Sequence, residues 1–567
     1  MRSADGPGSG LTRQQFLKAG GATLAGAAAL GGLAGCGAAG TSGGGSAGGG
    51  GGGGRSTLVV AVPALLSSLD REFEVGAGSM EAMNNVYDAA TMWATEPFGS
   101  TGSRVPQLGD TKRWRLNLIE EASVARDGLT WTIRFKPGIA SHAGNELGAD
   151  DFLYTLQRHQ GVWVLGAFYN HVAGFLPRWR AGMFKTLDRH TIRVRTQKPS
   201  PLFLQMLENN FAMGLFDGVE ARRHATGGDK WSTGWMKSNG DKAGHGPYTI
   251  ESHKPGTETV FRAFADYHGG KPAIDTVIHR AIESSSTRAS LLTAGQVDVV
   301  RDLLPAEFKK LEQTRGVVVD DFDKAKFLLL MLVFNTTRRP FDDPRVRQAL
   351  AWAAPYDAIV DNVYQGYADR WNGVISRDYP FFDEGAWPYG DGRDFERARA
   401  LLKQAGYGSG LTVNVIYNAS EPQPELAAIE LQSAFKEIGV DLKLQKYAAA
   451  AFTEKLTATQ FDAAVWLDLS LTPDIGYCCY LYFQSRAFAN MGKYRDARAD
   501  ALIEQILTTL DEEKRAEVAR SFQRYVLQQS PHLYLAQPHY MVARRENVKG
   551  VTAYTSRTLR FDDVTKA

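Results

Sequence analysis

Few residues of this 567-residue chain stand in patterns that could carry covalent chemistry. Cys478 and Cys479 are adjacent, and Cys36 is the only other cysteine. Outside the cytoplasm neighbouring thiols tend to oxidise, and this pair could bridge only through a small strained ring. A buried pair of free thiols is the alternative; a soft-metal site would need a third ligand that the flanking sequence does not offer. His142 has no second His or carboxylate at ligand spacing, so it does not read as a metal ligand. Gly44-Gly45-Ser46-Ala47-Gly48 matches G-x-S-x-G, but it lies in low-complexity sequence with no strand before it and no helix after it. H-E-x-x-H is absent, as is any Ser/His/Asp or paired-carboxylate set with defensible spacing. The chain does not read as an enzyme, and no cofactor is implied.

The elements that organise the chain begin with Phe327 to Asn335 (F-L-L-L-M-L-V-F-N), an apolar run bounded by polar residues. That is the pattern of a strand buried on both faces. Next comes Pro340 to Leu350 (P-F-D-D-P-R-V-R-Q-A-L), with Asp343 at an N-cap and Pro344 at the first helical position, where no intrahelical donor is needed. Val346, Ala349, Leu350 and Ala353 share one helical face, which leaves Arg345 and Arg347 to point elsewhere. Upstream, Leu58–Val62 and Trp131–Phe135 read as strands and Ser79–Trp93 as a helix. Another helix follows Gly148, capped by Asp150 or Asp151, and a further one stops at Gly295. Downstream, helices at Phe395–Ala405 and Leu426–Ile438 alternate with strands at Leu411–Tyr417, Val440–Leu444 and Phe461–Leu467. Alternation of this kind predicts an α/β fold with a largely parallel sheet. Ala499–Gln529 is a long helix with a break expected near Asp511, and the strand-like run Leu533–Val542 follows it. A chain of this length exceeds one ordinary core, so several domains are expected.

The first 35 residues stand apart. Arg13 and Lys18 precede a mildly apolar Ala/Gly segment that closes on Leu33-Ala34-Gly35-Cys36. This L-A-G-C resembles the lipobox of bacterial lipoproteins, in which the chain is cut before the Cys and the thiol carries a lipid. Thr12 to Lys18 resembles a twin-arginine export motif with Gln14 in place of the second Arg, so the Sec and Tat routes both stay open. Gly37–Ser56 is a Gly/Ser/Ala tether with no capacity to fold, and its r.m.s. span is about 25 Å. The formal charge is +2, and the 35 leading residues carry +2 of it through Arg2, Arg13, Lys18 and Asp5. A mature chain near neutrality argues against a nucleic-acid partner or strong electrostatic membrane binding. No later run is apolar over the ~18 residues a span needs.

Taken in order, these segments resemble the large extracytoplasmic solute-binding proteins, family 5, of peptide and nickel ABC importers. The apolar strand ending in Phe334-Asn335 and the P-F-D-D-P-R-V-R-Q-A-L helix carry the likeness most strongly. It is supported by Trp131 to Gly138, Ser141-His142-Ala143-Gly144 (with Ala143 where the family has Asp), Gly244 to Tyr248, Phe264 to Pro272 and Leu291 to Asp298. The resemblance covers about residues 57 to 567. It implies a two-lobed, periplasmic-binding-protein-like α/β clamp of type II with an extra subdomain. Expected parts are a signal peptide (1–35), a lipidated Cys with its tether (36–56), lobe Ia (57–100, 191–282 and 533–567), an inserted subdomain Ib (101–190) and lobe II (283–532). The Leu533–Val542 run would return the chain to the first lobe.

The implied function is capture of a peptide or similar polar solute and its delivery to ABC permease subunits. The protein would be a monomer held by lipid alone at the outer face of the cytoplasmic membrane. A sugar or metal-chelate ligand, a sensory role and an exported hydrolase are the alternatives. Peptide-binding relatives place an Asp three residues after a Trp, and a Pro seven after it. Here Trp466 and Pro473 keep that frame, Leu469 takes the Asp position, Asp468 comes one place early and Asp474 follows the Pro. By the same resemblance Trp466 leads the candidate contacts, with Asp468 and Asp474 as replacement anchors and Tyr477, Trp371, Asn372 and Asn335 as further cleft residues.

Overall fold

The computed structural model describes residues 56–73, 77–109, 113–163, 182–208, 214–470 and 472–567. Cys36, the export signal and nearly all of the tether lie outside them. Two large sheets organise the chain. The first has seven strands, in the order Tyr248–Lys254, Glu258–Ala263, Thr276–Ala281, Thr57–Val62, Val299–Arg301, Tyr540–Arg545 and Val317–Phe322. The second has six: Ala368–Arg370, His532–Pro538, Leu328–Phe334, Ala463–Leu469, Leu411–Asn418 and Val440–Tyr447. Both are mixed rather than largely parallel. Two of six neighbour contacts in the first sheet and two of five in the second are parallel. The sequence shows the helix–strand alternation of the parallel parts; among the antiparallel pairs, Tyr248–Lys254, Glu258–Ala263 and Thr276–Ala281 are consecutive strands, whereas the others join distant segments.

The chain crosses between the sheets twice, each time through a short connection. Val317–Phe322 belongs to the first sheet and Leu328–Phe334 to the second, while His532–Pro538 belongs to the second and Tyr540–Arg545 to the first. The run Leu533–Val542 is therefore two strands split at His539, the second of which lies in the first sheet. Val299–Arg301 and Val317–Phe322 also sit in the first sheet, so the passage from the first sheet to the second comes after Phe322. A separate four-stranded antiparallel sheet (Ile119–Val124, Thr130–Phe135, Thr191–Arg195, Phe184–Thr186) falls largely within the expected insertion and extends it to Arg195.

The apolar run at 328–334 is buried on both faces because alternate residues serve different cores. Leu329, Met331 and Val333 join the core that continues into the first lobe, whereas Leu330, Leu332 and Phe334 pack with Val413, Val415, Val465 and Leu533. The following helix, Pro344–Ala353, starts as its sequence demands, with the Asp343 side chain accepting from the Arg345 amide at 2.8 Å. Arg347 departs from expectation. It is 4% exposed and donates to the carbonyls of Phe341 at 2.6 Å and Gln529 at 2.8 Å, serving the open end of the Glu512–Gln529 helix.

Three local expectations also shift. The helix near residue 79 spans Ala77–Val86, and Thr91–Trp93 is a strand. Neither Asp150 nor Asp151 is the N-cap of Ala149–Arg158; Gly148 is, and Asp151 reaches back to its amide at 2.9 Å. The long C-terminal helix does break at Asp511, which caps Glu512–Gln529. No helix among the described residues is long and apolar enough to cross a membrane.

Candidate functional site

Strand direction locates the crevice. Thr276–Ala281, Thr57–Val62 and Val299–Arg301 run parallel. Val317–Phe322 runs with them, since it shares with Val299–Arg301 the antiparallel neighbour Tyr540–Arg545. These strands end beside the two crossings. In the second lobe Leu411–Asn418 and Ala463–Leu469 are parallel, and Leu469 lies opposite Leu328, the first residue after the first crossing. Both lobes therefore turn the carboxyl ends of their parallel strands towards the crossings. Open α/β sheets bind ligands in the crevice outside those ends.

On the second lobe this edge carries Trp466 and Asp468, two residues apart and so on one face of the strand. Trp466 is half-buried and meets the Tyr482 ring edge-on at 6.1 Å between centroids. The Tyr482 hydroxyl donates to Asp468 Oδ2 at 2.8 Å. Burial pushes the Asp468 carboxyl up to about 6, with the Tyr482 hydroxyl and the Leu469 amide pulling the other way. Glu421, just before helix Pro422–Lys436, is likewise raised to about 6 by burial, and the Asp468 charge adds to the shift. Among the described residues neither carboxylate has a salt-bridge partner. Glu421 was not singled out from the sequence; a Glu ahead of two prolines reads as an ordinary helix start.

On the first lobe the edge carries Asp302, which directly follows Val299–Arg301, together with Tyr540 and Arg557. Against its burial, the guanidinium groups of Arg301, Arg557 and Arg288 hold Asp302 below the usual carboxylate range. Tyr364 is 5% exposed and lies within electrostatic reach of both lobes. Burial and then Glu421 raise its hydroxyl, and Arg557 draws it down.

The remaining sequence candidates are committed to packing or to local bonds. Asp474 is 1% exposed and is the N-cap of Ile475–Phe483: its Oδ1 accepts from the Gly476 amide at 2.6 Å, and both carboxylate oxygens pair with Arg515 at 2.6 and 2.9 Å. Tyr477 is 2% exposed, within the same core. Trp371 is 1% exposed; its indole donates to the Ile375 carbonyl at 3.0 Å and its ring meets Tyr534 edge-on. Asn335 donates to the Phe461 carbonyl at 3.1 Å and accepts from the Thr337 hydroxyl at 2.7 Å, tying the strand end to its turn. Asn372 is half-buried, and its side-chain oxygen has no hydrogen-bond partner among the described residues. The structure thus brings Trp466 and Asp468 to the crevice edge and sets Asp474, Tyr477, Trp371 and Asn335 into the packing.

The possible Cys478–Cys479 disulfide is corrected. Both cysteines lie in the helix Ile475–Phe483 as free, buried thiols. Consecutive helical side chains diverge round the axis, so their sulfurs cannot meet without breaking the helix. Cys478 Sγ lies 3.1 Å from the Ser470 hydroxyl, and burial pushes its thiol up to about 12. His142 is a brace: its ring nitrogens lie 2.9 and 3.0 Å from the carbonyls of Asp241 and Gly246.

The crossings themselves are charged. Lys326, on the first, contacts Asp369 at 2.7 Å and Asp378 at 3.1 Å. His539, on the second, contacts Asp321 at 2.7 Å and Asp369 at 3.5 Å. Asp369 thereby links both connections between the lobes.

Two large sheets joined by two short crossings, with Trp466, Asp468 and Asp302 at the strand ends beside them, have the architecture of a two-lobed clamp. Residues 113–490 match the middle region of the bacterial extracellular solute-binding proteins, family 5. The chain belongs to that family. It is similar to the dipeptide-binding protein of Escherichia coli K12, at 25% identity over 79% of this chain and 85% of the relative. It is also similar to heme-binding protein A of Haemophilus influenzae, at 24% identity over 76% of this chain and 80% of the relative. Among solved structures it resembles the periplasmic binding protein DppA from Helicobacter pylori in complex with the peptide STSA. That likeness has a TM-score of 0.74 and 23% identity, and covers 90% of this chain and 98% of the other.

Proposed function

We propose that this protein is a lipid-anchored receptor that captures a peptide or similar polar solute between its lobes and hands it to an ABC import permease. The observation that carries this reading is the placement of Trp466, and of Asp468 and Glu421 with no salt-bridge partner among the described residues, at the strand edge beside the crossings. An aromatic face with two carboxylates suits a solute that bears a cationic group, such as a free amine. Cys36 is the proposed lipid attachment site, and the Gly/Ser tether lets the clamp reach the permease and return. Leu469 at the usual Asp position, together with a relative named for heme, favours a second reading in which the same clamp takes a non-peptide solute. A thermal-shift panel of di- to penta-peptides, oligosaccharides and metal chelates on the full chain tests both. A ligand at a thousand times its Kd stabilises the fold by about 4.1 kcal/mol. A shift with peptides supports the first reading, a shift with chelates or sugars alone supports the second, and no shift across the panel refutes both. Metabolic labelling with palmitate tests the anchor: the wild type is labelled and Cys36→Ser is not.

A further inference from the structure

The four-stranded antiparallel sheet meets the second lobe at a contact that lies outside the crossings. The turn between its strands Ile119–Val124 and Thr130–Phe135 is braced from within. Asp127 Oδ1 accepts from the Leu129 and Thr130 amides at 2.9 and 3.0 Å, and Oδ2 pairs with Arg195 at 2.6 Å. Gly128, in this turn, has φ +67°, a conformation glycine adopts without steric cost. It also has no room for a side chain: a Cβ there would stand 2.7 Å from Leu510 Cδ1 and 3.8 Å from Pro199 Cβ. Leu510 belongs to the second lobe. It sits in the three-residue joint between the helices Ala497–Thr508 and Glu512–Gln529. There the Thr509 amide donates to the Gln505 carbonyl at 2.9 Å and Asp511 caps the next helix. Pinned on both sides, the joint leaves Leu510 48% exposed, lying against Gly128. Lys198, the residue before Pro199, pairs with Glu504 of the helix Ala497–Thr508. In the buried part of the same seam, the Gln205 side chain donates to the Pro473 carbonyl at 3.4 Å.

We propose that Leu510 and Glu504, seated against Gly128, Pro199 and Lys198, form a latch that keeps a fraction of the solute-free molecules closed. Each crossing is a short connection, so the lobes part by hinging there, and a contact outside the crossings breaks when they do. Its strength suits a bias and not a lock. The Lys198 and Glu504 side chains are 46% and 52% exposed, and an exposed pair shifts an equilibrium about two- to fivefold. Covering half of a leucine side chain adds a shift of about fivefold. Together they alter the ratio of closed to open molecules about 10–25-fold, which a bound solute or a docked permease can reinforce or override. The inference rests on the two-lobed architecture and does not depend on which solute is carried.

The test measures the distance between the lobes in the solute-free full chain by pulsed dipolar spectroscopy. Spin labels are placed at Lys185→Cys on the small sheet and Ser521→Cys on the helix Glu512–Gln529, both exposed positions, in a Cys36→Ser background; Cys478 and Cys479 are buried. The latch predicts two distances, a shorter closed one and a longer open one. Leu510→Glu and Lys198→Glu should each lower the share of the shorter distance several-fold without lowering the melting temperature. Lys198→Glu combined with Glu504→Lys should restore it. A labelled wild-type latch that shows the longer distance alone overturns the proposal, whatever the variants do. So does an unchanged ratio in either single variant, or an exchanged pair no better than Lys198→Glu by itself. Because no solute is present, these outcomes are independent of the ligand panel: failure here leaves the solute-binding reading standing, and failure of the panel leaves the latch standing.

Discussion

Asp468 and Asp474 are six residues apart and equally acidic in the sequence, yet the structure predicts opposite outcomes on removing their charge. Asp474→Ala deletes an N-cap, which alone costs about 1 kcal/mol. It also leaves the Arg515 guanidinium, 4% exposed, without its carboxylate. Breaking one side of a buried pair costs about 3–5 kcal/mol because the remaining charge is uncompensated. One carboxylate performs both tasks, so the terms overlap and a loss of about 4 kcal/mol is expected, with solute affinity changed only as far as the fold is. Asp468→Asn behaves differently. Its carboxyl is raised in the folded state to about 6, so above that pH the ionised form opposes folding, and the opposition is relieved as pH falls from about 6 towards the unfolded value. The amide therefore leaves stability at pH 7 unchanged or higher, while a cationic solute loses about tenfold or more in affinity. Urea midpoints and calorimetric titration on both variants read the two effects separately. The reasoning fails if Asp474→Ala keeps wild-type stability while losing the ligand, or if Asp468→Asn unfolds the protein and the residual folded fraction binds normally.

Three further outcomes follow from buried groups. Cys478 and Cys479 are expected to ignore iodoacetamide in the native protein and to react as two free thiols after denaturation, since burial raises both; a mass lower by two hydrogens before reduction contradicts this. Against its burial, Asp321 and Asp369 push His539 up to about 9, so its stabilising charge is fully present below about pH 6.5 and is lost as pH rises through about 9. Melting temperatures of wild type should therefore fall over that interval more than those of His539→Gln, and parallel profiles would count against it. Burial pushes Glu208 up to about 8, with the Thr555 hydroxyl pulling the other way. Its ionisation thus erodes stability as pH rises from about 4.5 to 8, and Glu208→Gln should flatten that part of the profile; an unchanged slope would locate the proton elsewhere.

The sequence carried much of the second lobe because its signals are local. An apolar run, an Asp-Pro helix start and glycine stops each act within a few residues. The long C-terminal helix broke where an Asp could cap it. What stayed hidden depends on distant partners. Arg347 looked like a surface residue until the end of the Glu512–Gln529 helix arrived beside it. Val299–Arg301 and Val317–Phe322 share a neighbour in the first sheet that lies more than two hundred residues later, which no local pattern reveals. The candidate site was half visible: the Trp–Pro frame pointed to Trp466 and Asp468, but nothing in the local sequence marks Glu421, Tyr364 or Arg557. A capping Asp and a ligand-binding Asp are the same residue in a string of letters; the structure shows Asp474 as the cap of Ile475–Phe483.

The central claim is that solute sits between the lobes and draws them together. Small-angle scattering of the purified protein, with and without a solute that shifts its melting temperature, measures this most directly. The account predicts a smaller radius of gyration on binding, and loss of that change when Trp466 and Asp468 are replaced together in a protein that still folds. Tight binding with no compaction, or compaction and affinity both unchanged in the double variant, would contradict it.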